Sequence, residues 1–87
     1  MCLAIPCKVC ELKTADAAIV EVGGIRKEIS LSLVNGVQVG DYVIVHVGYA
    51  LTRLDPEEAE KTLQAFAELG EITDENIAEL GGTPVAG

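Results

Sequence analysis

The sequence predicts a mainly β domain: a small OB-like antiparallel β-barrel followed by a C-terminal α-helix. Three observations lead there. Residues 3–48 consist of short Val- and Ile-rich runs broken by turn residues about every ten positions, the spacing expected of a compact all-β unit. No helical period separates those runs, so the strands meet through tight turns and curl into a closed barrel. The hydrophobic period becomes helical only from Asp55 onward.

The first predicted strand is Leu3 to Leu12, with Pro6 placing its early part at a sheet edge or a bend. The second is Ala17 to Val22 and the third Ile25 to Leu33, joined by Gly23-Gly24, both of which tolerate the positive φ of a two-residue hairpin turn. In the third run Ile25, Ile29, Leu31 and Leu33 alternate with Arg26, Glu28, Ser30 and Ser32, which predicts one dry and one wet face. Asn35-Gly36 and Gly40-Asp41 are turn signals flanking Val37 to Val39, and Tyr42 to Val47 is a fourth, almost wholly apolar strand. Asp55 then fits an N-cap, Pro56 the first helical position, and Glu57-Glu58 the acidic first turn. Ala59, Leu63, Phe66 and Gly70 fall on one stripe that predicts docking of Leu63 and a buried Phe66 on the barrel, with Gly70 as the stop. A second short helix is expected from about Asp74 to Leu80, behind Thr73. The organisation is therefore a barrel over residues 1–54, a helical segment over 55–80 packed on it, and a flexible tail over 81–87, in a single domain.

Composition narrows the function. A chain of 87 residues buries only about 60–65% of its unfolded surface, so any site is shallow or shared with a partner. Fourteen acidic against six basic residues give a net charge of −8, which repels nucleic-acid phosphates and anionic membrane surfaces. No run approaches the length needed to span a bilayer. Three cysteines and no secretory leader point to a cytoplasmic protein with reduced thiols.

Cys2, in the opening Met1-Cys2-Leu3-Ala4-Ile5-Pro6, is the most informative residue. Removal of the methionine would leave a thiol and an α-amine on one residue, a soft ligand and nucleophile able to reach a partner. From composition alone, a small apolar residue starting a strand is the simpler account. Cys7 and Cys10 have C-x-x-C spacing, yet within a predicted strand they face opposite sides and lie too far apart for a disulfide. His46, the single histidine, sits in the apolar run Val43-Ile44-Val45-His46-Val47-Gly48-Tyr49-Ala50. It reads either as a satisfied structural histidine or as a metal ligand, and with one thiolate it suits a metal whose other positions are already filled. No Ser-His-Asp set and no phosphate loop is legible, which argues against an enzyme.

Met1-Cys2-Leu3-Ala4-Ile5-Pro6, the segment Asp41 to Ala50 and the helix start Asp55-Pro56-Glu57-Glu58-Ala59 together resemble the HypC/HupF family of hydrogenase maturation chaperones, over about residues 1–70. The resemblance implies a non-enzymatic chaperone working with a HypD-like partner. It implies a transient iron bearing cyanide and carbonyl ligands, no permanent cofactor, and delivery to the large-subunit precursor of a [NiFe]-hydrogenase. Cys2 and His46 then correspond to the family's cysteine and histidine as iron ligands, with Cys2, Leu3, Ala4, Ile5 and Pro6 forming the partner-binding segment. Where the family usually has glycine after the proline, this chain has Cys7, whose Cβ disfavours positive φ. Cys7 is therefore a tolerated small residue, an aid to metal capture, or a disulfide partner for Cys2. Two other classes stay open: an interaction module that binds the precursor through Cys2 without carrying metal, and a thiol redox protein using Cys7 and Cys10.

Overall fold

The structure, a computed structural model, describes residues 5–14, 16–70 and 72–85 of the chain. Six strands and two helices follow in the order β1 (Ile5–Thr14), β2 (Ala17–Val22), β3 (Ile25–Ser30), β4 (Tyr42–His46), β5 (Tyr49–Leu54), α1 (Pro56–Glu68), α2 (Asp74–Glu79) and β6 (Thr83–Val85). β1 pairs antiparallel with both β2 and β4, β2 with β3, and β4 with β5, and a parallel bridge from Ser30 to Tyr49 closes the ring. The result is a closed barrel of the predicted class, built from five strands. Register shifts in β1 between Val9 and Glu11 and between Leu12 and Thr14 bend that strand as closure requires.

Strand alternation supplies the core. Ile5, Cys7 and Val9 of β1 point inward, as do Val43 and Val45 of β4, and all five are essentially inaccessible to solvent. The Gly23-Gly24 turn has φ of 58° and 82°, the doubly positive pattern of the favoured hairpin turn. Asp55 caps α1 by accepting the Glu57 N–H at 3.3 Å, and Gly70, at φ 72°, ends it. Thr73 caps α2 by accepting the Asn76 N–H at 3.1 Å.

Four expectations need correction. A fifth strand, Tyr49–Leu54, returns along β4, because the turn residues Val47 and Gly48 both adopt positive φ, 52° and 82°. The third strand ends at Ser30 rather than Leu33: the Leu31 N–H bonds the Asp16 carbonyl and the chain leaves the ladder, so Leu33 is exposed. Residues 83–85, expected in a flexible tail, form β6, because the β3 edge at Arg26, Lys27 and Glu28 offers backbone partners to Val85, Pro84 and Thr83. On α1, Ala59 is fully buried and Leu63 packs against the core, but Phe66 is only half-buried and lies outside the core cluster. Helix and barrel approach closely enough at Ala59 that the larger ring two turns further on is left at the margin.

α2 closes one end of the barrel, with Ile77 and Leu80 belonging to the core. Its last carbonyls, which no helix can satisfy internally, meet Lys27. This side chain shares the inward parity of Ile25 and Ile29 and is 6% exposed. Its Nζ donates to the carbonyls of Ile77 at 2.6 Å, Gly81 at 2.8 Å and Ala78 at 3.3 Å. An ammonium has three donors and no acceptor, so these contacts use its full capacity. Replacing Lys27 with Ala should cost about 1–3 kcal/mol because buried carbonyls lose their donor, whereas Lys13→Ala on the exposed end of β1 should stay within about 0.5 kcal/mol. Urea unfolding of the two variants measures both, and equal midpoints would remove Lys27 as the clamp.

Candidate functional site

Cys2, Leu3 and Ala4 lie outside the described residues, so the expectation of an exposed Cys2 unbridged to Cys10 falls there as well. Ile5 and Pro6, the rest of the expected partner-binding segment, are both buried. Their side chains anchor β1 and are not offered to a partner; what they fix is where the strand begins. Ile5 is opposite Val45 and Pro6 opposite Ile44 in the antiparallel β1–β4 ladder. The residue after Val45 is His46, so β1 starts at the His46 end of β4.

His46 is the last residue of β4 and is half-buried. Its backbone pairs with Tyr49 across the two-residue turn Val47-Gly48. The inward positions of β4 are Val43 and Val45, so the strand's alternation turns His46 to the outer face, beside the start of β1. Val47 is the one non-glycine residue with positive φ among the described residues. A β-branched side chain in that region is strained, and strain of this kind persists only where surroundings over-determine it.

The surroundings are the residues that follow α2. The Gly48 N–H donates to the Leu80 carbonyl at 2.6 Å, while the Gly48 carbonyl accepts the Ser30 N–H at 2.8 Å. A Cβ on Gly81 would stand 2.6 Å from the Gly48 nitrogen and 2.7 Å from the Val47 carbonyl carbon, and one on Gly82 would stand 2.8 Å from the Glu28 oxygen. Residues 80–82 thus clasp the turn beside His46, with backbone lying directly on backbone. Sequence reasoning missed this contact. The available signal is the Gly81-Gly82 pair, within the stretch expected as a tail.

Cys7 is 1% exposed and its thiol faces the Ile5 carbonyl at 3.4 Å. Burial pushes the Cys7 thiol up to about 12, only partly offset by the nearby Lys27 ammonium. A neutral thiol in the core is neither an iron ligand nor a nucleophile. Cys7 and Cys10 are both free, Cys7 buried in the core and Cys10 partly exposed, which leaves the redox reading without its disulfide. Cys7 is also absent from the positive-φ residues, so the extended strand accepts a Cβ there and the glycine usual in the family is not needed. Among the described residues no group of three or more His, Cys, Asp or Glu side chains is arranged to hold a metal ion. No described helix is long and apolar enough to cross a membrane.

Comparison with known sequences identifies the family. The family model described as HupF/HypC family matches residues 1–66, which is the barrel with most of α1. The chain belongs to the HupF/HypC family. It is 56% identical over 72 residues to the hydrogenase maturation factor HypC of Cupriavidus necator, covering 83% of this chain and 80% of that one. The HypC of Azotobacter chroococcum is 47% identical over 81 residues, 93% and 96% of the two chains. The HypC of Escherichia coli is 34% identical over 90 residues, 94% and 97% of the two chains. The family match ends before α2 and β6, so the clasp on the His46 turn is built from residues beyond the matched span.

Two predictions follow from this geometry. Gly24 and Gly81 have nearly equal φ, 82° and 78°, but a Cβ on Gly24 meets nothing within 4 Å. Gly24→Ala should therefore cost only the conformational penalty of about 1–2 kcal/mol, and Gly81→Ala about 1–3 kcal/mol more through steric conflict. Thermal melts of the pair isolate the contact. The second prediction concerns pH. The folded Cys7 thiol titrates near 12 against 9.0 unperturbed, so the native state keeps a proton that the unfolded state loses. Its contribution to stability is complete below about pH 9 and declines by about 1.4 kcal/mol per pH unit as pH rises toward 12. The wild type should lose stability in that window more steeply than Cys7→Ala, and parallel profiles would disprove the assignment.

Proposed function

We propose that this protein is a [NiFe]-hydrogenase maturation chaperone that works with a HypD-like partner. In this reading it receives iron bearing cyanide and carbonyl ligands and delivers it to the large-subunit precursor in the cytoplasm. Family membership and the names of its relatives support the maturation role. The observation that carries the finer reading is the start of β1 opposite Val45, next to His46. Cys2 is three residues before Ile5, and three residues span at most about 10–11 Å, which keeps a Cys2 thiolate within reach of the His46 end of the barrel.

The chemistry asked of the two residues is modest. A thiolate and a neutral imidazole supply one soft and one intermediate ligand, and the diatomic ligands that the iron brings with it complete its coordination. Two protein ligands hold such a cargo firmly enough to carry and loosely enough to release. No proton transfer or covalent step is required of the chain, in keeping with a chaperone and not an enzyme.

A second reading, in which the chain binds the precursor through Cys2 and never carries metal, rests on the same placement of the N-terminal segment. Metal analysis of the complex with the HypD-like partner separates the two. Cys2→Ala should abolish both iron retention and precursor capture. His46→Ala should lower iron retention by roughly tenfold, the loss of about 1.4 kcal/mol of binding, with little change in melting temperature. Wild-type complexes free of iron would favour the interaction module, and His46→Ala that retains iron but melts early would make the histidine structural.

A further inference from the structure

Lys27 is the one buried charged side chain among the described residues, and the iron chemistry proposed above makes no direct use of it. Its hydrogen bonds nevertheless lead to the site. The carbonyls that Nζ holds belong to Ile77, Ala78 and Gly81, so they bracket Leu80. The Leu80 carbonyl is the one that accepts the Gly48 N–H, at 2.6 Å. Three residues beyond Lys27 on the same strand, the Ser30 N–H donates to the Gly48 carbonyl at 2.8 Å. Gly48 is therefore gripped at both of its backbone groups, once by β3 directly and once by the end of α2 that β3 holds through Lys27.

The grip bears on His46 because the turn is so short. His46 and Tyr49 are cross-strand partners, and only Val47 and Gly48 separate them. Val47 stands at φ 52°, a conformation that a β-branched residue leaves unless its surroundings prevent it. Here the surroundings are backbone. A Cβ on Gly81 would lie 2.6 Å from the Gly48 nitrogen and 3.1 Å from the Val47 Cα, so residues 80–82 fill the space into which the turn would relax. Relaxation would rotate the end of β4, and His46 is its last residue. Metal–ligand bond lengths tolerate only about 0.2 Å, so a small rotation there is enough to lose an imidazole ligand.

We infer that the end of α2, pinned by Lys27, is the element that positions His46 for the cargo iron, with Lys27 a positioning residue acting through Leu80 and Gly48. The inference rests on the iron-carrying reading and adds to its site a part of the chain beyond the family-matched residues 1–66. Lys27 touches neither His46 nor the iron in this scheme. Its effect on iron is therefore limited to the share that His46 contributes.

The test uses the full-length protein, alone and in complex with the HypD-like partner. Lys27→Met keeps the buried stem and removes the three donors. Gly81→Ala leaves Lys27 in place and forces the clasp off the turn, and it carries the same test should Lys27→Met fail to fold. Gly24→Ala, with a similar φ but open space around its Cβ, is the control. In the isolated protein the Gly48 amide should exchange roughly tenfold faster in the first two variants and at the wild-type rate in the third. In the complex the first two should each lower iron retention by about threefold, and that further loss should vanish in a His46→Ala background, as expected of residues acting through one another. Iron loss that persists undiminished without His46, or that Gly24→Ala reproduces, makes Lys27 and the clasp structural only. Wild-type iron retention in both variants likewise overturns the inference and leaves the iron-carrying reading standing. A wild-type complex without iron overturns both.

Discussion

The closure of the barrel by α2 depends on one ammonium group. Lys27 projects inward from β3, among residues whose alternation otherwise produces an apolar core, and its Nζ holds the carbonyls of Ile77, Ala78 and Gly81. Burial lowers its pKa from the ordinary lysine value, which measures the cost of taking the charge from water. The helix end offsets that cost, since cations at a helix C-terminus meet the negative pole of its peptide dipoles. Once Lys27 fixes the end of α2, Leu80 is held where its carbonyl reaches Gly48, and Gly81-Gly82 lead into β6 along the same strand that carries Lys27.

The His46 end of the barrel is consequently set by two distant parts of the chain. β1 delivers the N-terminal segment there through the register of Ile5 on Val45, and the residues after α2 press on the turn that follows His46. Val47 is held at positive φ between them. Such a turn is costly in isolation and acceptable in context, because relaxing it would break the Gly48 hydrogen bonds on both sides. That placement makes a half-buried histidine at a strand end a well-defined position, as the proposed ligand role requires.

Charge distribution divides the surface in the same way. α1 and the segment after it carry much of the acidity, with Glu57 and Glu58 favourably placed at the positive start of the helix. The loop from Leu31 to Gly40 and strand β5 are almost free of charge.

The sequence by itself determined the barrel, the helix at Asp55, the short helix behind Thr73 and the family, because each rests on local chemistry: alternation, turn glycines, capping residues and a short motif. It marked Cys2 and His46 as the candidate ligands for the same reason. Only the tertiary structure decided what depends on contacts between distant segments. The return strand Tyr49–Leu54 was hidden because its turn uses Val47, a residue that local preference excludes from positive φ. β6 was hidden because a three-residue strand has no signature until the β3 edge beside it exists. Lys27 was passed over because a lysine in an alternating strand gives no sign of the carbonyls that await it fifty residues later. The helical stripe predicts Phe66 in the core, yet how deep a stripe residue sits depends on the distance between helix and barrel, which Ala59 sets. Periodicity specifies which face of an element is turned inward; how far inward, and against what, is a property of the assembled fold.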